Sequence, residues 1–348
     1  MKTSALPRSD RPAEFFQAAF QSFQAAAQQP LHLDYLIGGL RLRLQFANSK
    51  LVPAITPALA HLAQVGAGQA DLTICLWDSA STGAPMPAAP WSAQDYLARN
   101  EIRGYQKTRY LATYNPATAV LNLLDSQTQL ALYWIKDWQL LPWYESGAPL
   151  LTIFHWWLRQ QGCQLLHAAA IGKADGGVLI AGRGGAGKST TALACLASDL
   201  LYASDDYCLL ATTPKPHVWS LYSSGKVDRR SLQLLPHLKP AIARPGQTAE
   251  EKSLLFLQGT WPEKMVAGFP IRAALLPRLT EKKETFLTPA SPAEACKALA
   301  PSTLFQLAGA DRSTFETVAT LVRQVPCYTL HLGTEIAAIP AVITSLFA

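Results

Sequence analysis

Long apolar runs are missing from this 348-residue chain, and none approaches the length of a bilayer-spanning helix. Paired cysteines are missing too. Cys75, Cys163, Cys195, Cys208, Cys296 and Cys327 are scattered without a CxxC, which argues against a zinc knuckle and a secreted disulfide framework. Charge is sparse, at 16% of residues against 49% hydrophobic, a balance unlike a disordered chain and ample for a sizeable core. The net charge of +6 has no dense Lys/Arg run with interleaved aromatics behind it. Lys282-Lys283 sits between Glu281 and Glu284, as in a solvated surface turn. Neither nucleic acid nor a membrane is therefore an expected partner, and the basic excess suits an acidic nucleotide or an acidic protein. The stretch MKTSALPRSDRPAEFF has no apolar signal core, so the expected compartment is the cytoplasm.

What the chain does have is GRGGAGKS, Gly182 to Ser189, a full match to G-x-x-x-x-G-K-[ST]. An apolar strand-like run, 178–181, precedes it, and an Ala/Leu-rich helical run, 189–197, follows. Glycines let successive N–H groups curl around an oxyanion, and the following helix start presents free N–H groups to phosphate. The candidate nucleotide-binding residues are Gly182, Arg183, Gly184, Gly185, Ala186, Gly187, Lys188, Ser189 and Thr190. In such loops the lysine reaches the β- and γ-phosphates and the hydroxyl of the next residue ligates Mg²⁺.

Downstream, LLYASDDYCLL is an apolar strand interrupted by Asp205-Asp206. Adjacent carboxylates in such a run are costly unless a cation compensates them. Mg²⁺ and Lys188 would do so.

Length suggests two domains. Residues 1–145 are expected to be a mostly β domain with one leading helix, for substrate or partner recognition, and 146–348 the nucleotide-binding domain. In the first, the opening twelve residues form a loose tail and 13–28 a helix with an aromatic stripe. A hairpin turns at Gly38-Gly39, strands follow at 71–77, 119–124 and 127–137, and 79–90 is a loop. Nothing there resembles a catalytic constellation. In the second, the spacing gives a helix over 149–160, one strand over 164–172, and another over 200–210. A polar loop carrying Lys226 follows, then strands near 253–257 and 269–278. Two helices, the first with a capping box from Ser291 to Glu294, lead to a closing strand and helix.

LLHAAAIG with His167, GRGGAGKS and YASDDY together resemble the catalytic domain of HPr kinase/phosphorylase over about 160–230. VWSLYSSGK, FPIRAALLPR, ALAPSTLFQLAG and VPCYTLHLG extend the likeness to the HPr-kinase-like proteins of bacterial peptide-maturation clusters, including kinases that tail lasso-peptide precursors. The resemblance implies an α/β fold with α+β character, a P-loop on a mixed, partly antiparallel sheet as in HPr kinase and the phosphoenolpyruvate carboxykinase nucleotide domain. It implies ATP and Mg²⁺ as cofactors and a serine-bearing peptide or protein as substrate. Lys188 and the backbone of Gly184 to Gly187 would hold phosphates and Ser189 the Mg²⁺. Asp205 would be the base, and Asp206 would complete the metal site and position that base, with the order of the two acids open. His167 would stand near the transferred group, or serve as a core histidine. Thr190 departs from the usual Glu, and the glycine-rich signature loop of HPr kinases has no match. A small-molecule kinase and a nucleotide-dependent switch remain as alternatives on the same residues.

Overall fold

The computed structural model describes residues 11–66, 68–106, 108–248 and 250–347, apart from the side chain of Ser302. The expected loose tail lies outside these residues except for Arg11 and Pro12, which open the first helix instead. The chain divides into two compact units. One holds Met1–Thr56, Ala63–Glu145 and Leu150–Trp157; the other holds Pro57–Leu62, Ser146–Pro149 and Leu158–Ala348. The fold class is α/β with mixed sheets.

In the first unit, strands β1 (Leu31–Ile37), β2 (Leu40–Phe46), β3 (Ala63–Gln64), β4 (Leu72–Asp78), β5 (Tyr110–Asn115), β6 (Val120–Asp125) and β7 (Leu130–Ile135) form one sheet. Their order is β3-β1-β2-β4-β7-β6-β5, with β2, β4 and β7 parallel at the centre. The β1–β2 hairpin turns through left-handed Gly38 and Gly39, a conformation glycine adopts without a Cβ penalty. The helix Arg11–Ala26 buries Phe15, Phe16, Ala19 and Phe23, and Phe23 meets Trp77 edge-on at 6.0 Å. Two details differ from the sequence reading. Strand β5 was not expected, because its apolar and polar residues do not alternate and only Ala112 and Thr113 are buried. The expected loop after β4 begins as a helical turn, Ser79–Thr82, because Asp78 caps the Ser81 N–H at 2.8 Å.

The second unit carries strands β8 (Gln164–Leu166), β9 (Ala169–Lys173), β10 (Gly176–Ile180), β11 (Leu201–Ser204), β12 (Cys208–Ala211), β13 (His217–Ser220), β14 (Ser224–Val227), β15 (Ile242–Arg244), β16 (Ser253–Phe256), β17 (Gly268–Leu279), β18 (Phe286–Ala290) and β19 (Cys327–Leu332). Nine form a mixed sheet ordered β11-β9-β10-β17-β13-β12-β8, with β19 on β17 and β18 on β19. Twelve-residue β17 joins its two sections. Its first residues pair antiparallel with β13, and its remainder pairs parallel with β10 and β19.

Alternate residues of the strands face opposite cores, the period-2 pattern of a sheet covered on both sides. Val178 and Ile180 pack with Ala192, Leu193 and Leu196 of the P-loop helix region. Leu179 and Ala181 pack with Ala295, Leu299, Val318 and Leu321 of the helices Pro292–Gln306 and Arg312–Gln324.

Both strands expected to be single are split. The run 164–172 breaks at His167-Ala168, and the run 200–210 breaks at Asp205-Asp206-Tyr207. The physical reason is a change of partner. β8 pairs with β12 in one section, while β9 pairs with β11 and β10 in the other. The expected polar loop at 218–226 is likewise two strands, β13 and β14. The second of these belongs to a separate three-stranded sheet, β14-β16-β15.

Candidate active site

The phosphate loop follows β10 and runs into the helix Lys188–Ala194. Gly187 has φ +102°, a left-handed conformation that glycine adopts without a Cβ penalty. Lys188 is buried, and its Nζ donates to Gly182 O at 2.7 Å. Burial pulls the Lys188 pKa below its ordinary value, while Asp205 and Asp206 oppose that shift. The lysine is therefore held inside its own loop, beside the two acids.

The two strand breaks supply those acids and their partners. Asp205 is 1% exposed. Its Oδ2 accepts from the Lys226 backbone N–H at 3.1 Å, whereas Oδ1 has no hydrogen-bond partner among the described residues. Burial raises its pKa, and the neighbouring Asp206 charge adds to the rise. The Ser189 hydroxyl, the Lys226 amide and Lys252 counteract it in part.

Asp206 is the opposite case. Its Oδ1 lies 3.0 Å from His167 Nε2, and its Oδ2 2.7 Å from Lys226 Nζ. Burial alone would raise its pKa, but these two partners hold it well below the usual carboxylate range. Each oxygen keeps a second lone pair for a further donor or cation. His167 is fixed in turn, its backbone N–H donating to Thr303 Oγ1 at 3.1 Å and its ring 5.3 Å from that of Tyr207.

A cavity of about 760 Å³ collects most of the sequence-identified residues: His167, Gly184, Gly185, Gly187, Lys188, Ser189, Thr190 and Asp206 all line it. Asp205 sits behind them, reached through Lys226 and Ser189. Gly182, Arg183 and Ala186 are placed elsewhere, on a second concave surface at the outer side of the loop. Thr190 Oγ1 hydrogen-bonds Ser231 Oγ at 2.9 Å, so it braces the next helix.

Sequence reasoning gave Lys226 no role. It is the residue that holds both acids, through its amide and its amine. The signal was small: a lysine after Gly225, where an added Cβ would come within 3.1 Å of Leu193 Cδ2, so the backbone approaches the P-loop helix closely. Arg230, Ser231 and Lys252, also in the cavity wall, left no motif.

The residues present fit a divalent cation. The ionised Asp206 carboxylate, whose oxygens each keep a lone pair, and the Ser189 hydroxyl offer the hard oxygen donors Mg²⁺ prefers. No group of three or more His, Cys, Asp or Glu side chains that could hold a metal ion occurs among the described residues. No helix among the described residues is long and apolar enough to cross a membrane.

No family model matches the chain, and no curated protein matches it. Among solved structures it is similar to the HPr(Ser) kinase/phosphatase from Coxiella burnetii, at 12% identity, covering 53% of this chain and 93% of that one. The TM-score is 0.28, too low for the likeness to carry an argument about this site.

Proposed function

We propose that the protein is an ATP- and Mg²⁺-dependent kinase that transfers the γ-phosphoryl group to a serine hydroxyl of a peptide or protein, in the cytoplasm. The observation that carries this reading is the Asp205 carboxylate beside a complete phosphate loop, buried, raised in pKa and left with one unpartnered oxygen. A structural carboxylate in that position would be satisfied. A base must instead have an oxygen to spare and a pKa raised toward its working range.

Lys188 would exchange the Gly182 carbonyl for the β- and γ-phosphate oxygens. Asp205 Oδ1 would take the proton of the acceptor hydroxyl as that oxygen bonds to the γ-phosphorus. The bond from the γ-phosphorus to the bridging oxygen breaks, and ADP leaves with its electron pair. Asp206, ionised, would keep His167 and Lys226 in register around the transferred group. Mg²⁺, held by Ser189 and Asp206, would neutralise charge on the phosphate oxygens. The chemistry asks mainly for positioning and charge neutralisation.

The test is intact-mass measurement of serine-containing peptides incubated with ATP, Mg²⁺ and the protein. The expected gain is about 80 Da per event, slowed at least ~100-fold in Lys188→Ala. No gain on any peptide, with ATP binding verified by calorimetry, would overturn the reading.

A further inference from the structure

The second concave surface of this unit is a groove of about 1060 Å³ on the outer side of the phosphate loop. One wall is the helix Pro292–Gln306. Its residues 294, 297, 298, 301 and 305 line the groove, and that spacing puts them on one helical face, opposite Ala295 and Leu299 in the sheet core. The facing wall is the end of β17, including Arg278 and Leu279.

Three features single the groove out. Phe305 is 75% exposed and Leu279 66% exposed. Three cations, Arg183, Arg278 and Lys297, face a single acid, Glu294, whose carboxylate is already occupied by the Ser291 N–H and hydroxyl at 2.8 and 2.6 Å. And the groove meets the active site. Gly184 and Gly185 line both concavities. At the other contact, Gln306 Oε1 accepts from the Tyr207 hydroxyl at 2.6 Å, and the Tyr207 ring stands beside His167.

We infer that this groove seats the acceptor polypeptide: an extended segment, rich in Asp or Glu and bearing one large apolar side chain, that delivers its hydroxyl to the phosphate loop. The inference rests on the kinase reading and names its substrate class. Size argues for a polypeptide over a metabolite. Eleven helical rises from Glu294 to Phe305 span about 16 Å, the length of roughly five extended residues. Charge argues for acidic flanks, because three exposed cations against one acid, Glu294, leave an excess of positive charge that favours an anionic partner and disfavours a cationic one. Phe305 and Leu279 supply the apolar anchor around which such contacts concentrate.

The experiment is fluorescence anisotropy of the full chain with three labelled decapeptides. One places Ser between Glu residues and a Phe, the second replaces each Glu by Lys, and the third replaces the Phe by Ala. The same titrations are run on Lys297→Glu, Arg278→Glu and Phe305→Ala, exposed positions outside the catalytic machinery. The Glu peptide should bind, the Lys peptide should not, and each charge reversal should weaken the Glu peptide about tenfold. Lys297→Glu should gain affinity for the Lys peptide. In turnover, peptide KM should rise while kcat and the KM for ATP hold.

Equal affinity for the Glu and Lys peptides, or unchanged affinity in all three variants, overturns the groove. So does light scattering that shows an oligomer dissolved by Phe305→Ala with peptide affinity unchanged, because the occupant would then be a second copy. Failure of the kinase reading looks different: groove-dependent binding with no mass gain. Phosphorylation whose peptide KM ignores all three variants leaves the kinase and removes the groove.

Discussion

Two buried carboxylates, one in each unit, received opposite treatment. Asp125 at the end of β6 is 3% exposed and fully engaged. Arg109 grips it with two bonds of 2.8 and 2.6 Å, and the Gln127 N–H donates to it at 3.0 Å. Burial alone would raise its pKa, but these partners bring it below the ordinary value. Asp205 is as buried, yet among the described residues no ion pair holds it: it receives the Lys226 backbone N–H, the Ser189 hydroxyl offsets its raised pKa only in part, and a second acid is its sequence neighbour. The first carboxylate completes the structure around it; the second keeps one oxygen without a hydrogen-bond partner among the described residues. Unmet polar demand inside a well-packed unit marks chemistry more reliably than the presence of charge does.

Removing each charge in turn tests that contrast. Asp205→Asn should lower phosphoryl transfer by at least ~100-fold while leaving the fold intact and raising stability by about 1 kcal/mol. The sign follows from its raised pKa. That carboxyl favours the folded state when protonated, below its unfolded value, and loses the contribution as pH rises and it ionises. Denaturant midpoints and initial rates report the two effects separately, and loss of both stability and rate would make Asp205 structural.

Asp125→Asn should do the reverse, costing about 1–3 kcal/mol of stability with the rate unchanged. Its depressed pKa means that the stabilisation is present above the unfolded value and disappears as pH falls through the folded one. A midpoint insensitive to the substitution at neutral pH would dissolve the comparison.

The third effect is smaller. The acid limb of kcat/KM should lie above the ordinary aspartate value of about 3.9, because the free enzyme must ionise Asp205 to use it. Asp206→Asn removes one of the causes of that rise, so whatever activity it retains should have its limb displaced to lower pH. A limb that stays in place would assign it to another group.

The phosphate loop was legible because its geometry is local: glycines, lysine and hydroxyl act within eight consecutive residues. The acid pair was legible because two adjacent carboxylates in an apolar run carry a cost visible without a fold. The breaks around His167 and Asp205 were not. The flanking residues are apolar on both sides, and only the pairing of β8 with β12 and of β9 with β11 ends the strands there. Lys226 was hidden for a similar reason. Its strand, β14, takes its partner from β16, and register Lys226↔Leu254 is information that spacing within one segment does not hold. Strand β5 shows the limit of alternation as a signal in the first unit, where Thr113 is buried by bonding Asn122 at 3.1 Å.

The coincident breaks have a consequence for how this unit could change over time. His167 and Asp205 to Tyr207 belong to no strand, so lengthening or rewriting those few residues leaves the register of β8, β9, β11 and β12 untouched. Elsewhere in the sheet a one-residue insertion would turn a strand's apolar side to the wrong core. The candidate site residues thus occupy a seam, where substitutions can be tried without re-solving the fold.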